Sequence, residues 1–292
     1  MTNPTYSYVP GTNDWKADRY RTMPLIELAD GSFVNVSHGT PMPVGIADDQ
    51  AVLGRVRNLR VSNKFSRRTG LTAANGWETV WELTTGNWSP MKTAEAFTLV
   101  YNSSTDGAGT SGALTVLVIY LDADGQRQTI IHTLSNTGSD ALGISGIGIH
   151  RVAVASNGGD QQNNSDITIT TPTYGTQAIC PAEEGVTSQS MFFSENDGYS
   201  IIKNFFIQVG TKESGGGNPQ VEVRGRVYNR NVDGWYVIYG PFIVNTSTEQ
   251  TLKLENENFP LSPADNLVWE ANTDSNNATI NVRYRINEYF TP

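Results

Sequence analysis

Cysteine is almost missing from this 292-residue chain, where Cys180 stands alone. One thiol closes no internal disulfide, so stability has to come from side-chain packing and strand pairing, and no oxidising compartment is implied. Cys180 reads as a small buried apolar residue. Charge is scarce as well, at 17% of residues, and the balance is acidic, with a formal net charge of −9. That balance argues against nucleic acid as a partner, because neutralising phosphate requires a basic face. Long apolar runs are also missing. The longest, Leu114 to Leu121, has strand length and falls short of the roughly 18 residues a membrane-spanning helix needs. Residues 1–12 show no basic segment leading into an apolar one, so no secretory signal is visible and no membrane partner is expected. The expectation is a soluble protein synthesised in a cytoplasm.

The residue types that carry chemistry are present but not arranged for it. His38, His132 and His150 lie far apart, without the i, i+4 or H-x-H spacing of a zinc site. Asp122 and Asp124 before Gly125 look like half of a calcium loop, but the chain enters a strand at Gln126 and the terminal bidentate Glu is missing. Gly107 to Gly112 is glycine-rich yet has no Lys-Ser/Thr after it and no helix, so it is not a phosphate cradle. No pair of acids can be nominated from sequence as a catalytic couple. The expectation is a non-enzymatic protein with no catalytic residue, no metal and no cofactor.

What is abundant is Gly, Asn, Ser and Thr, the usage of a turn-rich β-protein covered by hydroxyls and amides. Residues 1–50 show little periodicity and string Tyr6, Tyr8, Trp15, Tyr20 and Phe33 among prolines that include Pro41 and Pro43. This segment reads as an extended N-terminal arm whose aromatics must find apolar surface on this chain or on a neighbour. Within it, Leu25 to Leu28 and Phe33 to Val36 flank Asp30-Gly31, a hairpin-turn dipeptide. From 51 to 172, short strands follow one another, and Leu114 to Leu121 with Gln126 to Leu134 reads as a hairpin across Asp122-Ala123-Asp124-Gly125. From 173 to 292 the alternation is cleaner. Val221, Val223, Gly225 and Val227 face one way; Ile280, Val282, Tyr284 and Ile286 alternate with Asn281, Arg283, Arg285 and Asn287. The fold class expected is all-β: the arm, a β-sandwich over 51–172 and a jelly-roll-like sandwich over 173–292.

Three stretches carry a resemblance. The first runs from Asn63-Lys64-Phe65 through Thr79-Val80-Trp81 to Val100-Tyr101-Asn102-Ser103-Ser104. The second is Asp106-Gly107-Ala108-Gly109-Thr110, the Leu114 to Leu121 strand, Asp122-Ala123-Asp124-Gly125 and Thr133-Leu134. The third is Ile149-His150-Arg151-Val152, an Asn-rich loop, Ile167-Thr168-Ile169 and Ala178 to Gly185. Over about residues 58–210 this order and spacing resembles structural proteins of tailed bacteriophages, especially marine ones, and of some large algal viruses. It departs from them at Ser66-Arg67-Arg68 and Asn196-Asp197-Gly198. The resemblance implies a virion component made of paired β-sandwich modules, with no catalytic residues to transfer.

Two surface features complete the reading. Arg55, Arg57, Arg60, Lys64, Arg67 and Arg68 place six cations in fourteen residues with no acid between them, in a chain that is otherwise acidic. They read as a solvated strand edge, as an electrostatic dock for an acidic neighbouring subunit or, third, as a local nucleic-acid contact. Trp235 and Tyr236, beside Asp233-Gly234, could stack on a sugar ring or belong to a core. The function expected is a virion structural protein whose arm anchors it to capsid, portal or tail subunits, as a homo-oligomer, with β-modules projecting outward. The alternatives are a host-glycan-binding adhesion protein of tail or capsid fibre and, third, a polysaccharide hydrolase.

Overall fold

The computed structural model describes residues 25–27, 33–35, 59–82, 87–210, 219–245, 259–274 and 276–290. The chain divides into two compact units, Met1–Val61 and Ser62–Pro292. In the first, β1 (Leu25–Glu27) pairs antiparallel with β2 (Phe33–Asn35), with Ile26 opposite Val34.

The second unit is all-β. In chain order its strands are β3 (Leu59–Thr72, entering from the first unit), β4 (Glu78–Thr79), β5 (Glu95–Val100), β6 (Ala113–Leu121), β7 (Arg127–Thr133), β8 (Ser139–Gly146) and β9 (Gly148–Asn157). There follow β10 (Ile167–Thr171), β11 (Gly175–Cys180), β12 (Phe192–Phe193), β13 (Gly198–Gly210), β14 (Gln220–Asn229) and β15 (Gly234–Asn245). The last three are β16 (Phe259–Leu261), β17 (Asp265–Thr273) and β18 (Asn276–Phe290). One short 3-10 turn, Ala73–Asn75, lies between β3 and β4.

Four sheets in two pairs organise these strands. The first pair joins a sheet of order β16-β13-β18-β3 with one of order β12-β17-β14-β15, in which β4 also pairs with β17. Their inner faces supply one core, in which Trp269 lies against Phe205 at 4.9 Å, Tyr239 at 5.8 Å and Tyr284 at 6.0 Å. The expected alternation of β14 is there, with Val221, Val223 and Val227 fully buried. Strand neighbours are nested: β3 lies beside β18, β4 and β12 beside β17, β13 beside β16, and β14 beside β15. First strand meets last, second meets second-last, and so inward to the β14–β15 hairpin.

The second pair is built from the chain between β4 and β12. Its sheets are β11-β10-β5-β8 and β7-β6-β9, enclosing Phe97, Leu99, Val116, Val118, Ile149, Val152, Ile167 and Ile169. The β6–β7 hairpin turns where Asp122 Oδ1 accepts hydrogen bonds from the Asp124 and Gln126 amides at 3.0 and 2.9 Å. A smaller apolar cluster of Trp81, Trp88, Leu121, Ile147, Met191, Phe193 and Val268 joins the two sheet pairs.

This pairing crosses the division expected at 172/173. β3 and β4 lie within 51–172 but pair with β18 and β17, while β11, beyond that division, pairs with β10. A period of two tells which residues face inward, not which distant strand is the neighbour.

Candidate interaction surfaces

β3 splits the basic run by its own pleat. Lys64, Ser66 and Arg68 point inward and are buried, while Asn63, Phe65 and Arg67 point outward and are exposed. Lys64 and Arg68 therefore cannot dock a neighbouring subunit, which corrects the expectation that the run acts as one electrostatic surface. Arg68 is 1% exposed and paired with Glu78 through Nη2. Such a desolvated pair is costly to break from one side, because it leaves a buried charge uncompensated. Arg60 is half-buried, and Arg55 and Arg57 lie outside the described residues. So do Tyr6, Tyr8, Trp15, Tyr20, Pro41 and Pro43 of the arm, and the side chain of Phe33.

Lys64 ends where the sheet pairs meet. Its Nζ donates to the His150 carbonyl at 2.5 Å, and the His150 ring stands edge-on to Phe192 and Phe193 at 5.5 and 5.6 Å. Burial drives the amine from its ordinary value down to about 7; Arg127 and Arg151 push the same way, and Glu288 opposes them. Glu288 in turn faces Arg127 at 3.6 Å and accepts a hydrogen bond from the Ser62 hydroxyl. Asn287 was expected on a wet face, yet it is 0% exposed, and Glu288 beside it is 2% exposed. At that end the Arg127 side chain from β7 lies against β18.

Beside this junction lies a cleft of about 340 Å³. Its floor is the outer face of β3, β13 and β18, with Phe65, Arg67, Phe206, Gln208 and Arg283; Glu82, Glu184 and Ser188 stand along it. Burial raises the Glu82 carboxyl above its ordinary value and Glu184 adds to the effect, against the pull of Arg67. None of Glu82, Glu184, Phe206, Gln208 or Arg283 was singled out from sequence as a cleft residue. They come from four separate stretches, and no local spacing announces their meeting.

Trp235 and Tyr236 lie on β15, 37% and 40% exposed. The Arg226 guanidinium sits 4.3 Å from the centre of the Trp235 ring, and Tyr228 packs against it at 5.3 Å. Arg226 and Arg224 both bind Glu270, at 3.0 and 2.7 Å, and Arg224 covers Trp77 at 4.0 Å. The Tyr236 hydroxyl donates to Asp265 at 3.0 Å; burial and this bond push the phenol well up. A sugar stacking on Trp235 would have to share the ring with a guanidinium already in place.

The segments that carry the phage resemblance have an architectural role here. Asp106 is fully buried and accepts hydrogen bonds from the amides of Ala113, Asn164 and Ser165 at 2.8, 3.0 and 2.8 Å, and from the Ser165 hydroxyl at 2.5 Å. Asn163, also fully buried, donates to the Ser165 and Pro181 carbonyls at 2.8 and 2.7 Å and accepts from the Gly185 amide at 2.9 Å. The Asp-Gly loop, the Asn-rich loop and the Ala178 to Gly185 element are thus fastened to one another. Among the described residues no group of three or more His, Cys, Asp or Glu could hold a metal ion, and no helix is long and apolar enough to cross a membrane.

No family model and no curated protein matches the sequence. Among solved structures, a mutant VP2 protein of infectious bursal disease virus, from derived T=1 particles, aligns at 8% identity with a TM-score of 0.19, covering 80% of this chain and 74% of that one. The structure of the Gx strain of the same virus aligns at 9% identity with a TM-score of 0.14, covering 81% and 78%. Similarity at that level carries no argument about the fold or function of this chain.

Proposed function

We propose that this chain is a non-enzymatic structural subunit of a virion, of the tailed-phage kind that its sequence patterns resemble. The observation that carries the reading is the nested pairing of β3 with β18, β4 and β12 with β17, β13 with β16, and β14 with β15. A ribbon of antiparallel pairs rolled into two facing sheets is a jelly roll, an architecture used by viral capsid proteins, and also by lectins and cupins. Fold alone does not choose among these. Two features favour the capsid use. The two facing sheets carry a second β-module inserted between β4 and β12, two short strands that both pair with β17, suited to projecting from a shell. A long aromatic and proline-rich segment precedes them, suited to lying along neighbouring subunits, where burial offsets the entropy of ordering it. Partners would be further copies and other capsid, portal or tail subunits.

Quantitative mass spectrometry of purified particles from the source of this sequence tests the reading. The chain should be present at a fixed copy number: hundreds for a shell component, a dozen or fewer for a tail part. Removing residues 1–50 should leave the second unit folded but abolish its incorporation. Absence from the particles overturns the reading, and full-occupancy incorporation of the truncated chain overturns the anchor.

A second reading, recognition of a host surface glycan, is favoured by the cleft. Arg67, Arg283, Glu82 and Glu184 give it balanced charge and several planar donors and acceptors, and Phe65, 42% exposed, offers an apolar platform for a sugar ring. A glycan array with the full chain and with Phe65→Ala separates this reading from a purely architectural role. Binding lost in the variant supports it, and no binding to any arrayed glycan removes it.

A further inference from the structure

We infer that the cleft on the outer face of β3, β13 and β18 selects an acidic sugar, holding its carboxylate on Arg67 and Arg283 and its ring against Phe65. This rests on the glycan reading above and names the class of glycan that the site takes.

The cleft is divided by charge. Its floor supplies two guanidiniums, Arg67 on β3 and Arg283 on the adjacent β18, and the carboxylates of Glu82 and Glu184 stand along its side. Arg68, Lys92, Arg127, Arg224 and Arg226 each close on a carboxylate of the chain. The two floor arginines do not. Arg67 draws on Glu82 through space, but among the described residues neither its guanidinium nor that of Arg283 makes a hydrogen bond or ion pair. Both side chains are exposed, and a guanidinium is a planar fork that grips a carboxylate by two parallel hydrogen bonds.

The remaining lining matches the rest of a sugar. Phe65 is 42% exposed, and Phe206 lies directly opposite Arg283 in the β13–β18 ladder, so the guanidiniums stand beside aromatic surface on which a ring's C–H face packs. Glu82 and Glu184 accept hydrogen bonds from hydroxyls, and the cross-strand neighbours Gln208 and Asn281 present amides. A neutral sugar leaves both guanidiniums unanswered. A bare anion such as acetate answers them but brings no hydroxyl to the two carboxylates, which then only repel it.

The floor and the acidic side are fastened together. The Ser188 hydroxyl accepts from the Arg67 amide at 3.3 Å and donates to Glu82 at 3.5 Å, and the Gln189 amide donates to the Phe65 carbonyl at 3.1 Å. Less ordering is then needed on binding. A volume of about 340 Å³ is at the small end for ligand pockets, which suits a terminal sugar unit.

Calorimetric titration of the full chain with sialyllactose, a glucuronate-terminated disaccharide, lactose and acetate tests this. At least one of the two acidic sugars should bind more tightly than lactose by at least about tenfold, a factor that one charge-assisted hydrogen bond commonly carries. Which of them does so tells a nine-carbon acid from a uronic acid. Arg67→Gln and Arg283→Gln should each erase that preference and leave lactose binding as it was, with circular dichroism and melting unchanged, since both positions are exposed. Lactose binding as tightly as both acidic sugars overturns the inference and leaves the glycan reading standing. Acetate binding as tightly as the acidic sugar, or a preference that survives in both arginine variants, also overturns it. No binding of any sugar removes the inference and the glycan reading together.

Discussion

In β17 every residue but Asn272 is buried, whereas β7, a strand of similar length, buries none fully. β17 sits inside its sheet with the main core on one face, through Leu267, Trp269 and Ala271, and the joining cluster on the other, through Val268. β7 lies at the end of the β7-β6-β9 sheet, and Ile131 there is 67% exposed. A strand covered on both faces loses the alternation that marks a half-wet strand, and its polar residues must find partners inside. Glu270 does so with Arg224 and Arg226. The sheet pair built between β4 and β12 therefore does more than decorate the other pair, because it turns part of an outer face into interior.

The largest effect expected is at the centre of the doubly covered strand. Trp269→Ala should cost about 3–5 kcal/mol, read as a lower denaturant midpoint at unchanged slope. A loss below about 1 kcal/mol would break the contrast between the two regions. Asp106→Ala strands four donors in the inserted module and should cost about 2–4 kcal/mol. Hydrogen exchange would sharpen the comparison: protection lost only over β5 to β11 means the module opens by itself, and loss over β17 as well means the joining cluster couples the two.

Lys64→Met addresses the junction. Because the folded amine titrates near 7 and the unfolded one near 10.5, the native state sheds a proton that the unfolded chain keeps between those values. Wild-type stability should accordingly rise with pH from about 7 to 10.5 and be flat in this contribution below 7, where the buried charge is carried in full. The methionine variant should lose that rise and be more stable near pH 6 by about 1–3 kcal/mol, measured by urea titration across pH. A variant less stable at pH 6 would mean that the bond to the His150 carbonyl outweighs desolvation. The smallest effect is expected at the exposed strand, where Ile131→Ser should change stability by no more than about 0.5 kcal/mol.

Much of the secondary structure was readable before any contact was known. Val221, Val223 and Val227 and the even residues from Ile280 to Ile286 announce their buried faces by spacing, and Asp122 to Gly125 announces a turn. The surfaces were harder. Lys64 and Arg68 were read by charge as solvent-facing, although the pleat of β3 turns both inward, and the cleft acids Glu82 and Glu184 are about a hundred residues apart. Trp235 and Tyr236 were placed correctly near a hairpin turn, but the sequence holds no sign that Arg226 would lie over the indole.

By itself, the sequence determined that this is an all-β chain of alternating strands without a disulfide, because period-two patterning and turn residues act over a few positions. Only the tertiary structure decided that β3 joins β18 some two hundred residues away, that the chain between β4 and β12 forms an inserted module, and which charges go inside. Inward and outward are local properties of a pleat. The identity of the neighbouring strand, and whether a second layer covers the outer face, depend on closure of the whole ribbon, which leaves no mark on any short stretch of chain.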